Sequence, residues 1–314
     1  MALSSCSLWI FVARTDIPFL MLTIPHLVRM NNFPFAERVL AVDTAPLTGD
    51  KIGRPGIGSL EELRDCTQKL QQAGIVDRII DINYDRAYCD HLYRRHFGTP
   101  VGPTHNYKGY PILGSIFTIE ECRSDYMVHF DSDMMLHQEP DYSWITGGIE
   151  LMQRHPYLMS VRPLAGPPTA DGTLYQPNTY EKHPDGFYQF KFFGSRVYLV
   201  DCKRFAKLFP FPIIWRPFRN RWLNQLPVSL QTLYSNLTGK GELESWEIMV
   251  SRKVEATDYA RATLANPKAW TLHPKDRSPA FIAALPQIID KIEAGKYPPE
   301  QAGHYDLIPE LWYC

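Results

Sequence analysis

Tyr126-Met127-Val128-His129-Phe130-Asp131-Ser132-Asp133 decides the fold of this chain. It opens as an apolar run with β-branched and aromatic members, the composition of a buried strand. It ends abruptly in two carboxylates one residue apart. Side chains at i and i+2 of a strand share a face, so Asp131 and Asp133 can converge on one object. At the C-terminal end of a parallel strand in an open α/β sheet that object is usually a ligand. Two hard oxygen ligands suit Mg²⁺ or Mn²⁺ carrying a diphosphate. The alternative is an Asp-Ser-Asp turn that merely terminates the strand.

Outward from this stretch, the composition is that of a globular protein. The chain has 314 residues, 45% hydrophobic and 21% charged, enough to bury a core. Its 33 basic and 34 acidic side chains give a net charge of −1, which argues against nucleic acid as a partner. Cys6, Cys66, Cys89, Cys122, Cys202 and Cys314 contain no CxxC pair. Widely spaced cysteines fit reduced thiols, so a cytoplasmic protein is expected. Arg14 and Asp16 interrupt the apolar N-terminus, and no signal peptide or spanning helix is predicted.

Before the central stretch, strands alternate with helices. Leu8 to Ala13 reads as a strand, and Thr15 or Asp16 as the cap of a helix running to about Met30. Arg38 to Val42 is a second strand with Asp43 at its end, followed by a Gly- and Pro-rich loop from Thr44 to Gly58. Ser59-Leu60-Glu61-Glu62 is a capping box, and Gly74 closes the helix it opens. Gly74 to Ile82 supplies a third strand, and a helical stretch carries Tyr88, Leu92, Tyr93 and Phe97. This alternation predicts an α/β fold, a doubly wound, mostly parallel sheet.

After Asp133, Ile145 to His155 reads as helix, Tyr157 to Val161 and Arg196 to Val200 as strands, and Leu164 to Gly186 as a long loop. Glu244 to Val254 is expected to be helical and Trp270 to Pro274 loop-like. Phe209, Phe211, Trp215, Phe218 and Trp222 alternate with Arg216, Arg219 and Arg221. This stretch is expected to wall an acceptor site, with peripheral membrane contact as its second reading.

The order of elements, the acid closing the second strand, and Asp131-Ser132-Asp133 resemble nucleotide-sugar glycosyltransferases of the GT-A fold. The similarity is nearest to the large inverting family of cellulose, chitin and hyaluronan synthases and bacterial transferases, over roughly Trp9 to Arg277. It implies one GT-A domain over residues 1–314, with a nucleotide-sugar half (1–135) and an acceptor half (136–314). It further implies Mn²⁺ or Mg²⁺ on Asp131 and Asp133, with His273 as third ligand. Asp43 would contact the base, and Arg14, Thr15 and Asp16 would lie under the nucleotide, although Thr15 and Asp16 can equally be plain caps. Lys108, Lys275 and Arg277 are candidates for the diphosphate.

Transfer also needs a base for the acceptor hydroxyl. Glu244-Ser245-Trp246-Glu247 occupies the place of the family's Glu-Asp pair and further acid, with Ser245 where the pair has Asp. Glu247 is the expected base, Glu244, one helical turn earlier, the alternative, and Trp246 a sugar-stacking platform. The function so implied is transfer of a sugar from a nucleoside diphosphate sugar to a sugar, glycolipid or other hydroxyl acceptor, with inversion. The rivals are a retaining transferase, a sugar nucleotidylyltransferase and a catalytically silent carbohydrate-binding protein. A nucleotidylyltransferase is disfavoured because Arg14-Thr15-Asp16-Ile17-Pro18 is not a glycine-rich phosphate loop.

Overall fold

The structure, a computed structural model, describes residues 5–313; Cys314 lies outside them. The strands are β1 (Cys6–Val12), β2 (Glu37–Val42), β3 (Arg78–Asp81), β4 (Tyr126–Asp131), β5 (Met135–Gln138), β6 (Leu158–Arg162), β7 (Leu164–Ala165), β8 (Glu181–His183), β9 (Phe187–Phe190), β10 (Val197–Asp201), β11 (Ala260–Leu264) and β12 (Ala269–Leu272). The helices are α1 (Leu20–Asn31), α2 (Leu60–Gln72), α3 (Arg86–Phe97), α4 (Leu113–Glu121), α5 (Trp144–Arg154), α6 (Cys202–Phe205), α7 (Val228–Thr238), α8 (Trp246–Glu255) and α9 (Pro279–Glu293).

A nine-stranded sheet has the order β3-β2-β1-β4-β10-β6-β11-β9-β8. Its first four strands are parallel, and β10 then inserts antiparallel between β4 and β6. β11 follows parallel to β6, and the β8–β9 hairpin closes the edge. Only β10 and β9 run against the common direction, as expected for a doubly wound, mostly parallel sheet. β1 is buried along its whole length, and its pleat splits the core in two. Leu8, Ile10 and Val12 face Leu20, Ile24, Leu63 and Leu151 on one side. Trp9 and Phe11 face Tyr93, Phe117, Trp246 and Met249 on the other. Helices on both faces bury β1 throughout and most of β2 and β4, which is why their sequences read as continuous apolar runs, while the edge strand β3 stays partly exposed.

The second half differs more from expectation. Trp270 to Leu272, expected as loop, belongs to β12, the centre of a three-stranded sheet β5-β12-β7. Under it lies a third cluster of Met135, Trp270, Leu272, Phe281, Ile288 and Trp312. The long loop after Leu164 contains β7 and β8. The first helix begins at Leu20, behind a separate 3₁₀ turn Arg14–Asp16.

α9 is tied to α1 and β5 by one buried histidine. His26 Nε2 accepts the Leu136 N–H at 3.1 Å, so the proton sits on Nδ1, which donates to Glu293 Oε1 at 2.7 Å. Arg29 binds the same carboxylate. The hydrogen bond from His26, with Arg29 beside it, holds Glu293 down to about 2 against burial, while burial lowers His26 itself. A depressed carboxylate contributes stability that is present above its unfolded value and lost as pH falls through the folded one. Glu293→Gln should therefore cost about 1–2 kcal/mol near neutral pH. In urea titrations the gap to wild type should stay constant down to pH 4.5 and close toward pH 2.

Candidate active site

β4 ends at Asp131, and Ser132 and Asp133 form the turn into β5. The two carboxylates thus face one cleft because of a turn, rather than because of the strand pleat. The backbone N–H of Asp131 donates to the Arg196 carbonyl at 2.8 Å, and the Met134 N–H closes the turn on the Asp131 carbonyl at 3.1 Å. Asp131 Oδ1 lies 3.2 Å from His129 Nε2, whose ring stacks on Tyr198. Burial raises this carboxyl, but the His129 contact and the charges of His129, Arg196 and His273 hold it below its ordinary value.

Asp133 is buried at 7% exposure. Its Oδ2 is bound by Arg277, and Oδ1 is buried without a hydrogen-bond partner. His273 places Nε2 3.9 Å from Asp133 Oδ2 and Nδ1 3.0 Å from Asp306 Oδ1. Burial raises Asp306, but His273 and Lys275 outweigh it and bring the carboxyl down to about 2. A carboxylate behind an imidazole fixes the tautomer and aims the other nitrogen forward. An orphaned buried oxygen, a half-buried carboxylate and an oriented imidazole suit a divalent cation, once Arg277 releases Asp133 and the three side chains, whose ligand atoms do not all lie within 4.8 Å of one another, draw together. Arg277 Nη1 also lies 3.6 Å from Asp16 Oδ1.

Asp131, Asp133, His273, Arg277 and Asp16 line a cleft of about 280 Å³ with Thr15, Lys51 and Arg54. A second cleft, of about 540 Å³, is lined by Tyr107, Lys108, Ser195, Glu244 and Glu247. Asp131, Arg196, Phe11 and Tyr110 belong to both. Arg196 stays charged against burial because Tyr305, Asp131, Glu247 and Asp133 surround it. Behind it, Arg261 and Arg162 approach Gly194 so closely that a Cβ there would lie 3.2 and 3.5 Å from their Nη1 atoms.

Glu247 Oε2 accepts both the Ser195 N–H, at 2.8 Å, and the Ser195 hydroxyl, at 2.9 Å. Ser245, where the related pattern has an acid, is the N-cap of α8 and accepts the Ile248 N–H at 3.3 Å. The helix starts after Glu244, so Glu244 and Glu247 do not share a helical face, although both reach the larger cleft. Glu244 is paired with Arg216 at 3.3 Å. Trp246, expected as a stacking platform, borders the larger cleft but offers it almost no open face. It is 2% exposed and packs against Phe193, Phe205 and Phe211 in the core, because the first helical residue points inward under β10.

The other expected residues distribute as follows. Thr15 and Asp16 line the smaller cleft and Arg14 does not. Asp16 accepts the Ala13 N–H at 2.8 Å and the Thr15 hydroxyl at 3.0 Å, closing its own turn. Asp43 lines neither cleft. Its oxygens take the Tyr84 hydroxyl at 2.6 Å and His105 Nε2 at 3.1 Å, with Lys51 Nζ at 3.8 Å. Lys108 stands over Tyr107 in the larger cleft, away from Asp133. Lys275 is drawn to Asp306 at 2.6 Å. No ring from Phe209 to Trp222 lines either cleft. Phe211 and Phe218 are buried, and Trp222 is exposed. Ser195 and Arg196 lie in the run Phe193 to Val200, which resembles the family's acceptor-side strand, whereas Lys51, Arg54, Tyr110 and Asp306 were not singled out in the sequence: isolated polar residues in loops carry no spacing signal.

No family model matches the chain, and no curated protein does. Among solved structures, GalNAc-T7 with UDP, GalNAc and Mn²⁺ superposes with a TM-score of 0.51 at 10% identity. The match covers 87% of this chain and 44% of that one, so the chain spans less than half the length of that neighbour. A mycobacterial protein aligns over 93% of this chain and 74% of its own, at 10% identity and a TM-score of 0.37. At such identity the first likeness shows the fold, which is GT-A-like.

If Ser245 serves as a cap, Ser245→Asp should keep the stability of the chain while Ser245→Ala loses about 1 kcal/mol. Chemical denaturation of the two variants checks this.

Proposed function

We propose that this chain is a metal-dependent glycosyltransferase that moves a sugar from a nucleoside diphosphate sugar to a hydroxyl acceptor with inversion. One observation carries the reading. Two clefts meet at Asp131 and Arg196, one holding a cation-ligand set among basic side chains, the other a carboxylate fixed for proton transfer.

Asp131, Asp133 and His273 would hold the cation, with Asp306 setting the imidazole. A nitrogen ligand favours Mn²⁺ over Mg²⁺. When bound, the ion would supply Lewis acidity to the leaving diphosphate. Lys51, Arg54 and Arg277 neutralise the remaining phosphate charge, and Thr15 and Asp16 shape the floor beneath the nucleotide. Asp43 acts through Lys51 and His105, which it holds in place. Across the shared wall Glu247 takes the acceptor proton as the hydroxyl attacks the anomeric carbon. Ser195 engages Oε2, so the proton goes to Oε1. Arg196 lies between the clefts and faces the charge that develops at the transition state.

Calorimetry with UDP or GDP and Mn²⁺ should show metal-dependent nucleotide binding that Asp133→Ala abolishes without unfolding the chain. Unchanged affinity in that variant would overturn the metal assignment. Glu247→Gln should bind donor normally and lose turnover by about 10²–10⁴. Retained activity would remove Glu247 as the base, and a product with the donor's anomeric configuration would establish retention.

We further propose that the acceptor side rests on an anionic membrane surface. Val228, Leu230, Leu233 and Leu237 of α7 are exposed, Leu237 at 77%, beside exposed Trp222. No Asp or Glu occurs from Arg216 to Gly241, while Arg219, Arg221 and Lys240 do. Apolar side chains flanked by cations suit the headgroup region, where each cation contributes about 1 kcal/mol. Arg216 links this face to the acceptor cleft through Glu244. No helix among the described residues is long and apolar enough to cross a membrane. The contact we propose is a peripheral one, at the cytoplasmic face. The chain should pellet with phosphatidylserine vesicles at low salt. High salt, or Leu233→Glu with Leu237→Glu, should release it. Absence of pelleting at low salt would overturn the membrane contact and leave the nucleotide chemistry standing.

A further inference from the structure

A second cluster of metal-ligating side chains lies outside both clefts. His155 caps the C-terminus of α5, His183 ends β8, and Asp185 sits in the turn to β9. Their ligand atoms lie within 4.8 Å of one another, and among the described residues no other group of His, Cys, Asp and Glu is so arranged. Asp185 Oδ2 is 2.7 Å from His155 Nε2 and 4.0 Å from His183 Nδ1. The shorter approach is not an aligned hydrogen bond, and His155 Nε2 is buried without a hydrogen-bond partner.

We propose that His155, His183 and Asp185 bind a first-row transition-metal ion, Zn²⁺ by preference, and that the ion clamps the edge hairpin to α5. Metal–nitrogen and metal–oxygen bonds of about 2.0–2.1 Å at tetrahedral angles put ligand atoms about 3.3 Å apart. Closing the 4.0 Å separation and opening the 2.7 Å one, each by well under 1.5 Å, meets that spacing. His183 must turn Nδ1 away from the Asp185 N–H, a contact of 3.2 Å, which is weak enough to exchange for a metal bond. The rings are already held. Phe187 stacks on His183 with centroids 4.2 Å apart and meets the edge of His155 at 5.3 Å, and Tyr157 edges His155 from another side.

Two imidazoles and one carboxylate select Zn²⁺, Cu²⁺ or Ni²⁺ over Mg²⁺, which prefers all-oxygen sites. A fourth position remains for water. The metal chemistry of this site therefore differs from that of the oxygen-rich set at Asp131 and Asp133. The clamp also has a structural reason. β8 is the last strand of the sheet and pairs with β9 alone, and a short edge hairpin is marginal without a further anchor.

The test uses the full chain stripped with a chelator and titrated with Zn²⁺ by calorimetry, with Co²⁺ as a spectroscopic probe. Wild type and Asp133→Ala should both bind Zn²⁺ at this site. Both should give the intense visible bands of tetrahedral Co²⁺, and both should melt at higher temperature with Zn²⁺ present. His183→Gln and Asp185→Asn should each weaken Zn²⁺ at least tenfold and lose the Co²⁺ bands. His183→Gln, on an exposed hairpin, should melt with the metal-free wild type. Zn²⁺ affinity unchanged in both variants, or lost in Asp133→Ala alone, would overturn the site and leave His155 and Asp185 as an ion pair only.

Discussion

The rest of this molecule depends on how β4 ends. The strand is flanked by parallel β1 and antiparallel β10, so its backbone is fully paired up to Asp131. The carbonyl of Arg196 takes the last ladder N–H. With no room to continue, the chain must turn, and the turn throws Asp133 into a buried position where a carboxylate requires cations. Arg277 meets that demand from the C-terminal half, where His273 Nε2 also lies 3.9 Å away, and Arg196 meets it from just before β10. The site exists because a paired strand has to stop beside three basic groups.

That constraint also divides the labour between halves. The parallel half presents Thr15, Asp16 and Lys51 at the carboxyl ends of β1 and β2, the position where open α/β sheets hold ligands. The second half contributes a small sheet that carries His273 and a helix, α8, whose first turn carries Glu247. β10 joins the two, since Ser195 and Arg196 lie just before it and touch both Glu247 and Asp131. A change at Arg196 therefore acts on both clefts at once.

The first half was legible because every signal there is local and repeated. β1 and β2 are apolar runs ended by polar residues, Ser59 and Glu62 form the capping box that was read from them, and Asp131 and Asp133 close the apolar run of β4. Beyond Asp133 the signals fail for physical reasons. β7, β8 and β12 are short strands whose pairing is decided by distant residues. Trp270 to Leu272 looked like loop because His273 and Pro274 follow, yet long-range pairing to β5 and β7 makes them a strand. Trp246 beside a candidate base suggested a platform, and the burial of the α8 start overrode it. Asp43 stands at its predicted strand end, but its oxygens are engaged with Tyr84 and His105, a network whose members lie 41 and 62 residues away in sequence.

The central claim is that Asp131, Asp133 and His273 share one divalent ion that carries a nucleoside diphosphate. Anomalous diffraction at the manganese edge, from crystals of the full chain grown with UDP and Mn²⁺, tests it most directly. The account predicts an anomalous peak about 2.0–2.3 Å from oxygens of Asp131 and Asp133 and from His273 Nε2, with diphosphate density against it. Nucleotide bound in the cleft with no manganese there, and Arg277 still on Asp133, would contradict it.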